Sequence, residues 1–337
     1  MAMAKKPTTA LLMHPVVMDE LFRDDHLQQL SRTCDLVSPD PYRSLDSMAL
    51  QLPNIEILIT SWGCPRIGPE LVTAAPRLKL IAHLAGSVKG FIDEEIWRNG
   101  IKVINTSAAN AVPVAEYTLA TILMANKKIL KLANLYKRHK ENRAPWTQDA
   151  PNAGNYRKTV GIIGASHIGR LVIEYLQPFE MDVLLYDPYL EPIAARRLGA
   201  QKVGLAELLS KSDIVSVHVP LLKETRNMLA ARELALMQDG ATLINTARGA
   251  VVDPDALLAE LQSGRLNAVL DTTEPEELPP SSPLFQLPNV MLTPHIAGSL
   301  GQETQRLTDF LLAELERYAK GKPLQHLVKR EDLPRLA

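Results

Sequence analysis

Cys34 and Cys64 are the only two thiols in the 337-residue chain. Their spacing matches neither a disulfide framework nor a metal-thiolate motif, so a reducing compartment and no metal are expected. An excess of one charge is also missing, since 37 basic and 38 acidic side chains leave a formal net charge of -1. That balance excludes a global footprint for nucleic acid or an anionic membrane. No apolar run comes near the roughly 20 residues that cross a bilayer, and M-A-M-A-K-K leads into an ordinary strand-like stretch ending at His14. Short-period repeats and low-complexity segments are lacking as well. The expectation is a cytoplasmic protein with neither a membrane nor a nucleic acid as partner. A chain of this length is long for one average domain and comfortable for two.

Short apolar runs alternate with amphipathic stretches. T-A-L-L-M-H, C-D-L-V, I-E-I-L-I-T, L-K-L-I-A-H-L and I-K-V-I-N-T give five strands in the first third of the chain. A second series runs through T-V-G-I-I-G, D-V-L-L-Y-D, D-I-V-S-V-H-V-P, A-T-L-I-N-T, N-A-V-L-D and N-V-M-L-T-P-H. Strands alternating with helices predict two parallel sheets in an α/β protein. Between the series, apolar residues at three-to-four spacing predict one long helix that begins with Pro113 in its first turn. Its basic end, with Lys127, Lys128, Lys131, Lys137, Arg138 and Lys140, reads as a solvated face opposite a buried apolar one. A last helix is expected from roughly Gln302 to Lys320, followed by a charged tail.

The segment T-V-G-I-I-G-A-S-H-I-G-R joins a strand, a glycine turn and a helix start, the context a dinucleotide fingerprint requires. Gly164 makes the tight turn and Gly169 the close helix-to-sheet contact. Ser166 replaces the middle glycine, where its hydroxyl can donate to a phosphate oxygen at the helix N-terminus. Asp187 ends the next strand, about 20 residues on, where a ribose-binding acid belongs. A carboxylate there binds a 2'-hydroxyl and repels a 2'-phosphate, which points to NAD rather than NADP. The plainer reading of Asp187 is the start of a turn with Pro188.

Three further groups stand just beyond strands of the second series: Arg248, Glu276 and His295. Parallel strands end on the same side, so these side chains can converge on the crevice where such sheets bind ligands. Taken singly, each is as readily a turn, surface or packing residue. As an ordered set they suit hydride transfer to a carbonyl. Histidine supplies the proton near neutrality, a carboxylate orients and stabilises its ring, and a guanidinium grips a substrate carboxylate and polarises the carbonyl.

Over nearly its whole length the chain resembles the D-isomer-specific 2-hydroxyacid dehydrogenase family. The matching motifs are V-A-E-Y-T, V-G-I-I-G-A-S-H-I-G, S-V-H-V-P-L with Thr225, L-I-N-T-A-R-G-A-V-V-D, L-D-T-T-E-P-E-E-L-P and L-T-P-H-I-A-G. The resemblance implies a Rossmann NAD-binding domain over 113–298 and a flavodoxin-like substrate domain over 1–112 and 299–337. It implies Arg248, Glu276 and His295 as catalytic residues, with Asp271 on the nicotinamide amide. Gly164, Ser166, His167, Ile168, Asp187, His218, Pro220, Thr225, Thr246, Ala247 and Gly298 are implied along the cofactor. The backbone amides of Gly86, Ser87 and Val88 are implied, with Arg248, to hold the carboxylate of a small 2-oxo or 2-hydroxy acid.

The resemblance further implies a homodimer through the helix after Pro113. The loop H-L-A-G-S-V-K-G-F departs from the family pattern in lacking its usual acidic residue, and Lys89 there offers a charge for a second anionic group such as a phosphate. Glu276 argues against the related formate dehydrogenases, which have glutamine at that place. A corepressor-like protein that senses NAD without turning it over is the alternative from another functional class.

Overall fold

The computed structural model describes residues 5–140 and 152–335, so the outer limits 1 and 337 of the expected domains lie outside the described residues. The chain divides into two units, one running to Asn110 and resuming at Ser299, the other Ala111–Gly298.

The first unit has five strands: β1 (Thr8–Leu12), β2 (Asp35–Leu36), β3 (Ile57–Thr60), β4 (Leu80–His83) and β5 (Lys102–Asn105). All pairs are parallel, in the order β2-β1-β3-β4-β5, the flavodoxin-like arrangement. Alternate residues leave opposite faces, and both faces are buried. Ala10, Leu12, Leu58, Ile81 and Val103 join one core with Ile67, Leu71 and Ile96. Leu11, Ile57, Ile59, Leu80 and Ile104 join another with Leu307, Leu311 and Leu315 of the helix Thr304–Ala319. That helix is anchored where the Thr308 hydroxyl donates to the Leu21 carbonyl (2.7 Å) and His26 meets Asp309 (3.1 Å).

The second unit holds β6 (Lys158–Ile163), β7 (Met181–Tyr186), β8 (Gln201–Lys202), β9 (Ile214–Val217), β10 (Thr242–Asn245), β11 (Asn267–Leu270) and β12 (Val290–Leu292). Their order is β12-β11-β10-β9-β6-β7-β8, again all parallel. This is the Rossmann order with one added strand, and the direction of winding reverses between β6 and β9. β8 was not expected. It is a two-residue edge strand of polar residues, so it has no apolar signature.

The expected single helix is two. The first spans Ser107–Asn126 and the second Ile129–His139, with Lys128 in a left-handed turn (φ 51°) between them. Pro113 lies inside the first helix rather than in its opening turn. The start is set earlier, where the Asn105 side chain accepts from the Ser107 amide (3.3 Å) and hydroxyl (2.8 Å). Pro113 then costs one helical N–H inside the element. By length and apolarity Ser107–Asn126 is also long enough to cross a membrane, contrary to the expectation of no such run. Its apolar residues have another explanation, since Ala115 and Ile122 are fully buried under the β6 strand in the core. The second helix also departs from expectation. It buries no side chain, and Ile129, Leu130 and Tyr136 are exposed.

Candidate active site

At the end of β6 the chain turns through Gly164 at φ 98°. A Cβ there would stand 2.7 Å from Val219 and 2.9 Å from the His218 carbonyl, so only glycine fits. Ser166 caps the helix His167–Leu176, its Oγ accepting from the Gly169 amide (3.3 Å). Gly169 is held closer still, because an added Cβ would fall 2.0 Å from the Gly164 carbonyl oxygen. Strand end, turn and helix N-terminus are thus locked by backbone contact. A glycine turn running into a helix N-terminus suits a pyrophosphate.

Asp187, just past β7, starts the turn that is the plainer reading of it. Its Oδ2 accepts from the Ala165 amide (2.7 Å), joining it to the fingerprint turn. Its Oδ1 accepts from Tyr189 (2.8 Å) and Leu190 (3.1 Å), the turn that follows. The carboxylate remains partly exposed, with acceptor capacity for a ribose hydroxyl.

His218 follows β9 and is buried. Its Nε2 meets the Ser216 hydroxyl (2.9 Å), Nδ1 has no partner among the described residues, and burial pushes its pKa down to about 3, so the ring is neutral. The Thr225 hydroxyl donates to the Pro220 carbonyl (2.6 Å) and accepts from the Leu222 amide (2.8 Å), which folds that loop back. Thr246, after β10, is buried, 3.4 Å from the Thr118 hydroxyl. The Ile168 side chain packs against the core.

The ends of the neighbouring strands β10, β11 and β12 carry Arg248, Glu276 and His295. Asn245 shapes the first loop by accepting from the Ala247 amide (3.0 Å) and donating to the Arg248 carbonyl (2.9 Å). Arg248 Nη1 donates to the Ala247 carbonyl (2.6 Å). A Cβ on Gly249 would lie 2.0 Å from the Thr273 carbonyl group, so the Arg248 loop is seated on the loop that carries Glu276. In that second loop the Thr273 hydroxyl donates to the carbonyls of Pro275 (2.7 Å) and Glu276 (3.2 Å).

Glu276 Oε1 and His295 Nδ1 are 2.6 Å apart, and about half of each side chain is exposed. A carboxylate only accepts, so Nδ1 carries the proton and Nε2 remains the nitrogen that can exchange one. Among the described residues Arg248 is bonded to neither partner, and the Gly249 contact is what ties it to them.

His295 has φ 55°, a left-handed conformation that costs a side-chain-bearing residue about 1–2 kcal/mol. Asp271, 2% exposed, holds it there. The Asp271 carbonyl accepts from the His295 amide (3.0 Å), Oδ1 from the Ile296 amide (2.8 Å) and the Thr293 hydroxyl (2.6 Å), and Oδ2 from the Ala297 amide (2.9 Å). Gly298 closes this segment and the unit. Sequence reasoning missed Asn245, Gly249, Thr293 and Tyr117 as parts of this rim. Only the adjacency of Gly249 to Arg248 could have signalled one of them.

In the first unit the loop after β4 carries Gly86, Ser87 and Val88. The Gly86 and Val88 amides have no acceptor among the described residues, and the space beside the Gly86 α-carbon is open. The Val88 side chain is buried in the core, and Ser87 Oγ accepts from the Lys89 amide (3.1 Å). Among the described residues no three His, Cys, Asp or Glu side chains gather as metal ligands.

The model of the NAD-binding domain of D-isomer-specific 2-hydroxyacid dehydrogenases matches residues 119–297. A glyoxylate reductase of Aeropyrum pernix is 35% identical over 88% of this chain and 89% of its own. A D-3-phosphoglycerate dehydrogenase of Archaeoglobus fulgidus is 32% identical over 85% of this chain but only 53% of its own length. Among solved structures, a phosphoglycerate oxidoreductase from Rhizobium etli superposes with a TM-score of 0.80 at 25% identity, covering 96% of this chain and 99% of that one.

Proposed function

The chain belongs to the D-isomer-specific 2-hydroxyacid dehydrogenase family, whose members are NAD-linked oxidoreductases, and from that premise we propose that it reduces a small 2-oxo acid, such as glyoxylate or hydroxypyruvate, to the D-2-hydroxy acid. The observation that carries the proposal is the 2.6 Å Glu276–His295 pair beyond adjacent strands, on loops seated against the Arg248 turn.

In the reducing direction the Arg248 guanidinium binds the substrate carboxylate and polarises the adjacent carbonyl with charge-assisted bonds. In the first unit the Gly86, Ser87 and Val88 amides are proposed as substrate-binding donors. When bound, the nicotinamide ring supplies the hydride that adds to C2. As the carbonyl π pair moves onto oxygen, His295 hands that oxygen the proton on Nε2, and Glu276 stabilises the imidazolium beforehand. In the oxidising direction the neutral ring accepts the hydroxyl proton. Reduction therefore slows as pH rises and oxidation slows as it falls.

Gly164, Ser166, His167 and Ile168 are assigned to the pyrophosphate at the helix N-terminus, and Asp187 to the ribose. His218, Pro220, Thr225, Thr246, Ala247, Asp271 and Gly298 are assigned along the remainder of the dinucleotide. Asp187 favours NAD(H), because a 2'-phosphate beside its carboxylate is repelled. Asp187→Ala therefore lowers the NADH-over-NADPH ratio of kcat/KM by about tenfold, although the loss of three amide bonds weakens both cofactors.

The chain is further proposed to be a cytoplasmic homodimer. The exposed Ile129, Leu130 and Tyr136 on a helix that buries nothing of its own support that contact, and light scattering measures it. The function is tested with glyoxylate, hydroxypyruvate, pyruvate and phosphohydroxypyruvate, each with NADH and NADPH. Turnover of a small 2-oxo acid with NADH supports the reading. Tight NADH binding without turnover of any of them would transfer the chain to the corepressor-like class.

A further inference from the structure

Tyr117 and Thr293 carry none of the chemistry assigned above, yet their hydroxyls are 2.7 Å apart across 176 positions of sequence. Thr293 has a single hydroxyl proton, and the Asp271 carboxylate 2.6 Å away can only accept it. The Thr293 oxygen must then receive the Tyr117 proton. The direction of the chain is fixed as Tyr117 to Thr293 to Asp271. It ends on three consecutive amides, those of His295, Ile296 and Ala297, all of which donate to Asp271.

We infer that Tyr117 and Thr293 are positioning residues for His295. By fixing which way the Asp271 carboxylate faces, they hold the left-handed backbone at His295 and so keep its ring on Glu276. The ring needs that support, because among the described residues its one anchor is Glu276. Burial, with the Asp271 charge adding, raises the Tyr117 phenol above its ordinary pKa, so it stays a donor. The inference rests on the proposed reading of His295 as the proton donor.

Tyr117→Phe removes one hydroxyl and keeps the ring. Thr293→Val removes the next at equal size, and Thr293→Ser keeps it. Each is measured for kcat, KM of the 2-oxo acid, dinucleotide Kd, Tm and the isotope effect with C4-deuterated NADH, beside His295→Gln. Losing a hydrogen bond in the network lowers kcat about 3- to 10-fold in Tyr117→Phe and about 10- to 100-fold in Thr293→Val. KM and Kd stay within about twofold, Thr293→Ser matches the parent, and the isotope effect rises as the chemical step slows. The double variant is no worse than Thr293→Val alone, because the chain is already cut.

Free of substrate, the 15N signals of the His295 imidazole shift in Tyr117→Phe, assigned by their loss in His295→Gln. Unchanged kcat and unchanged imidazole signals in both hydroxyl deletions would overturn the inference. So would losses that follow Tm with no change in isotope effect, since a merely structural role produces those. If His295→Gln itself keeps full turnover, the proposed function fails and this inference with it. A dead His295→Gln beside fully active hydroxyl variants sinks the inference alone.

Discussion

Two rims of the seven-stranded sheet are held in place by different forces. Beyond β6 and β7 close approach decides the shape, because a Cβ on Gly164 or Gly169 would collide with Val219 or a carbonyl oxygen, and Ser166 and Asp187 bond the backbone around them. Beyond β10 to β12 side chains hold the loops, through Asn245, Thr273, Asp271 and Thr293. The first rim, proposed above for a pyrophosphate, has no space beside its glycines and should fail when atoms are added. The second must set the direction of individual polar groups, and it should fail when a donor or acceptor is removed.

The largest effect is expected at the polar rim. His295→Gln should lower kcat by about three orders of magnitude, the middle of the range for a general acid, with NADH affinity kept within about twofold by fluorescence titration. Turnover at the parent rate would dissolve the contrast between the rims altogether. Next is the steric rim, where Gly169→Val puts a Cβ 2.0 Å from a carbonyl oxygen. Overpacking of about 1–3 kcal/mol should weaken NADH binding by about 10- to 100-fold, while kcat at saturating NADH changes little. A smaller loss in kcat than in affinity sharpens the comparison, and the reverse breaks it.

Asp271→Asn follows. It sets an amide donor against a backbone or hydroxyl donor in a buried place, costing about 1–3 kcal/mol. Tm should fall by several degrees and kcat by about tenfold. The smallest effect is on acid stability and reaches both units. Burial holds His83 at a pKa of about 4 and His218 at about 3. The unfolded chain binds these protons below about 6.5, so the contribution to stability is complete above that pH and is lost as pH falls toward the folded values. Replacing either histidine with glutamine should flatten denaturant midpoints between about pH 6.5 and 4. An unchanged slope would show that neither ring is as dry as its surroundings imply.

The fold class was legible because buried parallel strands are continuous apolar runs, and such runs are local. Thr8–Leu12 and Lys158–Ile163 announce themselves in five or six letters. What stayed hidden was non-local or lacked a local cue. Lys128 breaks a helix with neither glycine nor proline to mark it. Ser107 begins another because Asn105 caps it, six residues before the proline that drew attention. The three polar groups Arg248, Glu276 and His295 could be placed beyond strand ends by sequence alone. The groups that orient them could not. Thr293 reaches Asp271 over 22 residues and Tyr117 over 176, distances at which a sequence pattern carries no geometric information. Asp271 drew notice only as a ligand contact, and its hydrogen bonds also make it the support of a loop.

The short outer strands have a bearing on how the chain survives at high concentration. Each sheet ends on one side in a two-residue strand, Asp35–Leu36 in one and Gln201–Lys202 in the other. On their other sides, β12 has only three residues, and β5 is bridged by Leu327 and by the Val328 amide bonded to Val103. A foreign strand seeking to extend either sheet would find few unpaired amides in line. Lateral polymerisation through the native fold is thereby discouraged, and any tendency to form fibres would have to start from an opened chain.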